Sequence, residues 1–168
     1  MQELKLKQVV PESACLACEG CCRFIDPESV FTPHLTGQDI DLLFSAGLAR
    51  ALINRNRFNL VASKSIYCCP CFNDKKNKCN FYYSRPLECE LYPFLLAKKN
   101  NKAYLALDKK CPFVNSSFIK EKSKYIDYLR EILSSKELKR LIRQTEGLLG
   151  DYSQDNMIVC IEELSIDL

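Results

Sequence analysis

The apolar positions of this chain follow two different periods, and the change falls near Cys111. Before it, short runs of β-forming residues alternate with turn formers. Phe58 to Ala62 and Ile66 to Cys69, parted by Ser63-Lys64-Ser65, predict a hairpin. Tyr92 to Ala97 and Ala103 to Leu107, around Lys98-Lys99-Asn100-Asn101-Lys102, predict another. One helix interrupts this half. Thr36-Gly37-Gln38-Asp39 has the spacing of a capping box, with Asp in place of Glu or Gln, and Ile40, Leu43 and Phe44 follow at helical spacing. Gly47 breaks that helix, and Leu48 to Ile53 predicts a further helical turn. The segment from Arg23 to Pro33 reads as loop, and residues 1–14 read as a polar lead-in. Beyond Cys111, Phe118, Tyr125, Ile126, Leu129, Ile132 and Leu133 share one helical face, within helices expected over 117–149. Ser134-Ser135-Lys136-Glu137 predicts a second capping box ahead of Leu138, Leu141 and Ile142. Gly147 and Gly150 are expected to end that helix, and Met157 to Leu164 is too short to assign.

These elements predict an α+β fold: a small irregular cysteine-rich core with short hairpins, followed by a helical carboxy-terminal portion. The expected organisation is one domain over 1–168, with a metal-binding core at 15–113 and a helical extension at 114–168. A chain of 168 residues can bury about 70% of its unfolded surface. No apolar run approaches the roughly 20 residues that a membrane-spanning helix needs. A net charge of +3 gives no footprint for nucleic acid, and no basic stripe is interleaved with aromatics. The pairs Lys98-Lys99 and Lys109-Lys110 read as solvated charges.

Eleven cysteines change the picture. In an oxidising compartment they would suggest a disulfide framework. Met1 to Lys7 alternates charge with isolated apolar residues and shows no signal-peptide hydrophobic region. The expectation is therefore a reducing cytoplasm, where clustered cysteines bind metal. Cys15, Cys18, Cys21 and Cys22 fall within eight residues. The first three repeat the C-x2-C-x2-C run of bacterial iron–sulfur sites, whereas Cys22 departs from it. Adjacent side chains of extended backbone point apart, so Cys21 and Cys22 are expected to serve different centres, or one of them to pack. A second series follows in Cys71, Cys79 and Cys89, then Cys111, whose following Pro112 resembles the Cys-Pro step of iron–sulfur sites. These eight cysteines suffice for two four-thiolate centres, or for one with some to spare. Soft thiolates suit zinc or iron–sulfur clusters.

The same residues resemble the cysteine-cluster proteins with a CxxCxxCC signature, described as zinc- or iron-chelating proteins or iron–sulfur oxidoreductases. Cys15-Leu16-Ala17-Cys18-Glu19-Gly20-Cys21-Cys22 matches the opening motif, with Glu19 where that family often has glycine. Leu35 to Ile40 is similar to the helix start that follows, and Cys71-Phe72 to the next element. The stretch from Cys79 through Tyr82, Arg85-Pro86 and Cys89 to Pro93 resembles the most specific part, with Glu90 where arginine is usual. Asp108 to Pro112 is similar to the closing element. The resemblance spans roughly 15 to 113 and implies a metal-binding domain.

The remaining residues have simpler roles. Cys68, Cys69 and Cys160 fall outside the pattern and read as small buried hydrophobes. Arg85 is expected to pair with a carboxylate or cap, more than to meet sulfur. Tyr82, Tyr83 and Tyr92 are expected to pack around the site, and His34 to lie at the surface. With a single histidine and no phosphate-cradling glycine loop, hydrolytic and phosphoryl-transfer chemistry have no support. The expected function is an iron–sulfur protein, with one or two clusters of the 4Fe-4S type, that transfers electrons to a redox partner or serves a redox or protein-modification system. The alternative is a zinc protein with structural four-thiolate sites. An oxidoreductase is the one enzyme class left open.

Overall fold

The computed structural model describes residues 6–18, 20–115 and 118–166; Glu19 of the opening motif lies outside them. Helices and strands are mixed throughout, as an α+β fold requires. The chain forms two compact units that divide between Leu91 and Tyr92.

The first unit opens with α1 (Glu12–Ala17). Of the lead-in before it, Leu6 and Val10 are buried, and the Leu6 N–H donates to Glu90 Oε2 at 3.0 Å. A short strand β1 (Arg23–Phe24) then lies where loop was expected, because its edge pairs with β5 (Ile66–Cys68). β4 (Val61–Ser63) pairs with the other edge of β5, giving the order β1-β5-β4. The predicted hairpin is thus present, turning on Lys64 at φ +55°. Phe58 belongs instead to a small extra hairpin of β2 (Ile53–Asn54) and β3 (Arg57–Phe58). Between β1 and β2 stand α2 (Gly37–Ser45) and a single 3-10 turn at Arg50–Leu52. β6 (Phe72–Asn73) pairs with β7 (Lys78–Cys79), and α3 (Leu87–Leu91) closes the unit. With strands of two or three residues, little of this unit is held by ladders. Its core gathers Phe24, Leu35, Leu43, Leu48 and Phe58 with Cys69 and Cys71, and Cys22 and Cys79 pack against them.

The capping box of α2 is formed as predicted. Asp39 N–H donates to Thr36 Oγ1 at 3.1 Å, and Thr36 N–H donates back to Asp39 Oδ2 at 2.8 Å.

The second unit is a three-stranded antiparallel sheet with helices on it. β8 (Phe94–Lys99) and β9 (Lys102–Asp108) form the predicted hairpin, closed by Asn100 and Asn101 at φ +50° and +59°. Both residues at positive φ mark the tight turn that suits strand twist. β10 (Ile158–Leu164) adds to β9 to give the order β10-β9-β8. This strand escaped prediction because the register shifts between Cys160 and Glu162, which breaks the alternation of its side chains. The helices are α4 (Phe118–Glu121), α5 (Ser123–Leu133) and α6 (Lys136–Gln144). Phe94 of β8 stacks toward Phe118 and Tyr125, at 6.0 and 5.6 Å between ring centroids, seating the helices on the sheet. The second capping box is corrected: Ser135, not Ser134, caps α6 by accepting from Leu138 N–H, and Glu137 pairs with Arg140 instead. α6 also ends earlier than Gly147, at Gln144. Gly150 pairs through its backbone with Leu96 and Lys98 of β8.

Candidate metal centre

Four short segments of the first unit carry thiols toward one another. The first is α1 and the turn after it. Cys15 sits inside α1, and Cys18 ends it with its N–H on Cys15 O at 3.2 Å. Gly20 N–H then donates to Cys18 Sγ at 3.4 Å. Cys21 and Cys22 occupy a turn, not extended backbone, and Cys22 pushes the Cys21 thiol up. The expectation that the two point apart is therefore overturned at its premise.

The second segment is the turn Cys69-Pro70-Cys71-Phe72, closed by Phe72 N–H on Cys69 O at 2.9 Å. Pro70 presets the second position of such a turn, and across the bend Cys71 pushes the Cys69 thiol up. Cys69 N–H donates to Cys22 O at 3.0 Å, which joins this segment to the first. The third contributor is β7, where Cys79 stands opposite Phe72 and Asn80 N–H reaches Cys71 O at 2.8 Å. The fourth is α3, which holds Cys89.

The thiols feel one another electrically. Burial pushes Cys15 up, with Cys21 and Cys18 adding to it. Cys21 still presents surface to solvent, yet protein atoms crowd it, and its thiol is pushed well up by Cys22 and then by desolvation. Cys69 is raised by Cys71, then by burial, and also by Cys21. Cys79 is pushed up to about 11, first by burial, with Cys69 and Cys15 contributing. Cys89 is raised well above the ordinary range by burial, then by Cys69, Cys21 and Cys79. One network thus links Cys15, Cys18, Cys21, Cys22, Cys69, Cys71, Cys79 and Cys89.

Seven of these are the sequence-derived candidates, and Cys69 is the one that sequence reasoning passed over. Its signal was the Cys-Pro-Cys step, which forces a turn and draws both sulfurs inward. Cys68 turns elsewhere, its thiol 4.0 Å from Asp74 Oδ1. The eighth candidate, Cys111, is buried in the second unit, in the turn after β9 that Asp108 organises by accepting from Lys110 N–H and Tyr92 Oη. Tyr92 therefore serves Asp108 rather than simply packing. Cys160 is exposed on β10.

Arg85 is also corrected. Among the described residues no carboxylate pairs with it. Its guanidinium lies 3.7 Å over the Tyr82 ring, and Nη2 donates to Gln8 Oε1 at 2.9 Å. It opposes the upward shifts of Cys15, Cys21 and Cys79. His34 is not at the surface: its side chain is 14% exposed, and its N–H donates to Glu88 Oε2 at 2.6 Å. Tyr83 is exposed and donates to Glu12.

Among the described residues, no three His, Cys, Asp or Glu side chains close on one point as they stand. The donor set nevertheless suits a soft metal, being entirely sulfur. Beside it the Nε–H of Arg85 is buried without an acceptor, a donor that thiolate or cluster sulfur would satisfy.

Residues 14–116 match the model of the CxxCxxCC family, described as a putative zinc- or iron-chelating domain. The chain belongs to the CxxCxxCC family. No curated protein and no solved structure matches it. The family explains why the matched stretch ends where the cysteine-rich half does, short of α5 and α6. It also makes this CxxCxxCC chain a metal-binding one.

Proposed function

We propose that the protein binds an iron–sulfur cluster, of the 4Fe-4S type, through the thiol network of its first unit, and that it passes electrons or serves a redox or protein-modification system. The single observation that carries this reading is the all-sulfur network fed by four separate segments. A cluster with several iron atoms accepts thiolates from widely spaced points, as this arrangement offers. Ordinary zinc sites are instead built from paired short knuckles converging on one ion. Cys15, Cys18, Cys21, Cys79 and Cys89 are the ligands assigned first, with Cys69 joining them and Cys22 and Cys71 as neighbouring thiols that can exchange roles. Cys111, buried in the second unit, stays outside this ligand set. When bound, such a cluster supplies one-electron chemistry.

The protein's own contribution is to hold the sulfurs in an apolar surround and to place Arg85 against them. Core residues Phe24, Leu43 and Phe58 pack with Cys69 and Cys71, and a hydrophobic shell of this kind limits water and tunes potential. The proposed setting is the reducing cytoplasm, with a redox protein as partner. No described helix is long and apolar enough to cross a membrane.

Purification without oxygen, followed by iron, acid-labile sulfide and zinc analysis, tests the reading. Iron and sulfide in equal amounts with a broad visible absorption support it. Stoichiometric zinc without sulfide replaces it with the structural zinc reading. Folded protein free of metal overturns both.

A further inference from the structure

We infer that Arg85 is the counter-charge of the metal centre, a positioning residue whose clamped guanidinium offsets the negative charge of the bound thiolates and thereby sets how tightly metal is held. The inference rests on the metal-binding reading and deepens it.

Three observations carry it. Arg85 is held on two sides, by the Tyr82 ring at 3.7 Å and by Gln8 Oε1 at 2.9 Å. Gln8 itself is fixed by Tyr82, whose Oη donates to the same Oε1 at 2.9 Å. The charge therefore cannot swing away to solvent. Secondly, no carboxylate among the described residues neutralises it, although buried or half-buried arginines ordinarily find one. Thirdly, Nε–H is buried and has no acceptor, while the same guanidinium holds the Cys15 thiol down against its burial. Leaving a charged group's donor unmade is costly, and the cost is removed when sulfur nearby becomes anionic.

The chemistry follows from charge count. A divalent metal in four thiolates carries a net negative charge, which a poorly solvated site disfavours. A fixed cation alongside lowers that cost, and arginine keeps its charge at every accessible pH. Glutamine at this position would keep some hydrogen bonding and lose the charge. Lysine would keep the charge and lose the planar fork that stacks on Tyr82.

The test uses the full chain, with zinc affinity measured by competition against a chromogenic chelator and, in parallel, the half-life of a reconstituted iron–sulfur cluster under chelator. R85Q is expected to weaken zinc binding about 10–100-fold, the usual range for groups that support ligands without binding metal. R85K is expected to recover part of that loss, which a purely steric role would not allow. Q8E guards against a folding failure, since it is isosteric and seats a carboxylate on the guanidinium; it is expected to weaken binding in the same direction. Wild-type affinity in R85Q, or in Q8E should R85Q not fold, overturns the inference and leaves the metal reading standing. If the wild-type chain takes up neither zinc nor an iron–sulfur cluster, the metal reading fails and the inference falls with it.

Discussion

Asp39 and Leu87 are joined by a buried hydrogen bond: Leu87 N–H donates to Asp39 Oδ1 at 3.0 Å. The other carboxylate oxygen closes the capping box with Thr36. One side chain thus starts α2 and also holds the start of α3, the helix that carries Cys89. His34 makes a parallel tie, from its N–H to Glu88. The Arg-Pro-Leu-Glu-Cys stretch is therefore anchored by residues some fifty positions earlier.

Replacing Asp39 by Ala should destabilise the first unit by about 1–3 kcal/mol, because buried donors lose their acceptor. Burial raises the Asp39 carboxyl above its ordinary range, against the lowering effect of the bonds from Thr36 and Leu87. The folded state thus holds this proton more tightly than the unfolded chain. Its contribution to stability is fullest below the unfolded carboxyl range and is lost as pH rises through the higher folded value. The stability of the wild type relative to Asp39→Asn, read from unfolding midpoints between pH 3 and 7, should fall as pH rises; a difference that rises with pH would refute the sign.

Cys69→Ala should reduce metal content or affinity, whereas Cys68→Ala should leave both near wild type. The two thiols are adjacent in sequence, but Cys69 is electrically coupled to Cys21, Cys79 and Cys89 while the Cys68 thiol lies against Asp74. Metal-to-protein ratios of the two variants decide the matter, and equal ratios would remove Cys69 from the network.

Chelation should loosen the first unit far more than the second. The first unit's strands run two or three residues, and its core includes Cys69 and Cys71. The second unit has a sheet with strands of six and seven residues and an aromatic core of its own. Amide exchange after metal removal should rise across α2, β5 and β7 and stay slow in β8 and β9. Uniform loss of protection would show that the second unit depends on the metal equally.

Gly150→Ala should destabilise the second unit by about 1–3 kcal/mol through overpacking. A Cβ there would come within 2.5 Å of the Tyr152 ring, while the Gly150 backbone is committed to Leu96 and Lys98. Tyr152 is itself buried, so its ring has little room to give. A melting temperature equal to wild type would mean that the ring moves aside freely.

The sequence alone determined whatever depends on neighbours along the chain. The Thr36–Asp39 cap, the Asn100-Asn101 turn and the helical face from Phe118 to Leu133 are local, set by spacing and side-chain chemistry. So were the family and the soft-metal donor set, because the cysteine spacings are a local record. Tertiary structure decided the partners of groups whose local signal is weak or misleading. Cys69 looked like a buried bystander until the Pro70 turn and the bond to Cys22 drew it in. Cys21 and Cys22 were expected apart on the assumption of extended backbone, and a turn put their thiols together. Arg85 could have met any carboxylate; its place beside sulfur follows from Gln8, which lies 77 positions away. β10 hid its strand pattern behind the register shift at Cys160 and Glu162, and its pairing with β9 is a long-range fact that no single segment contains.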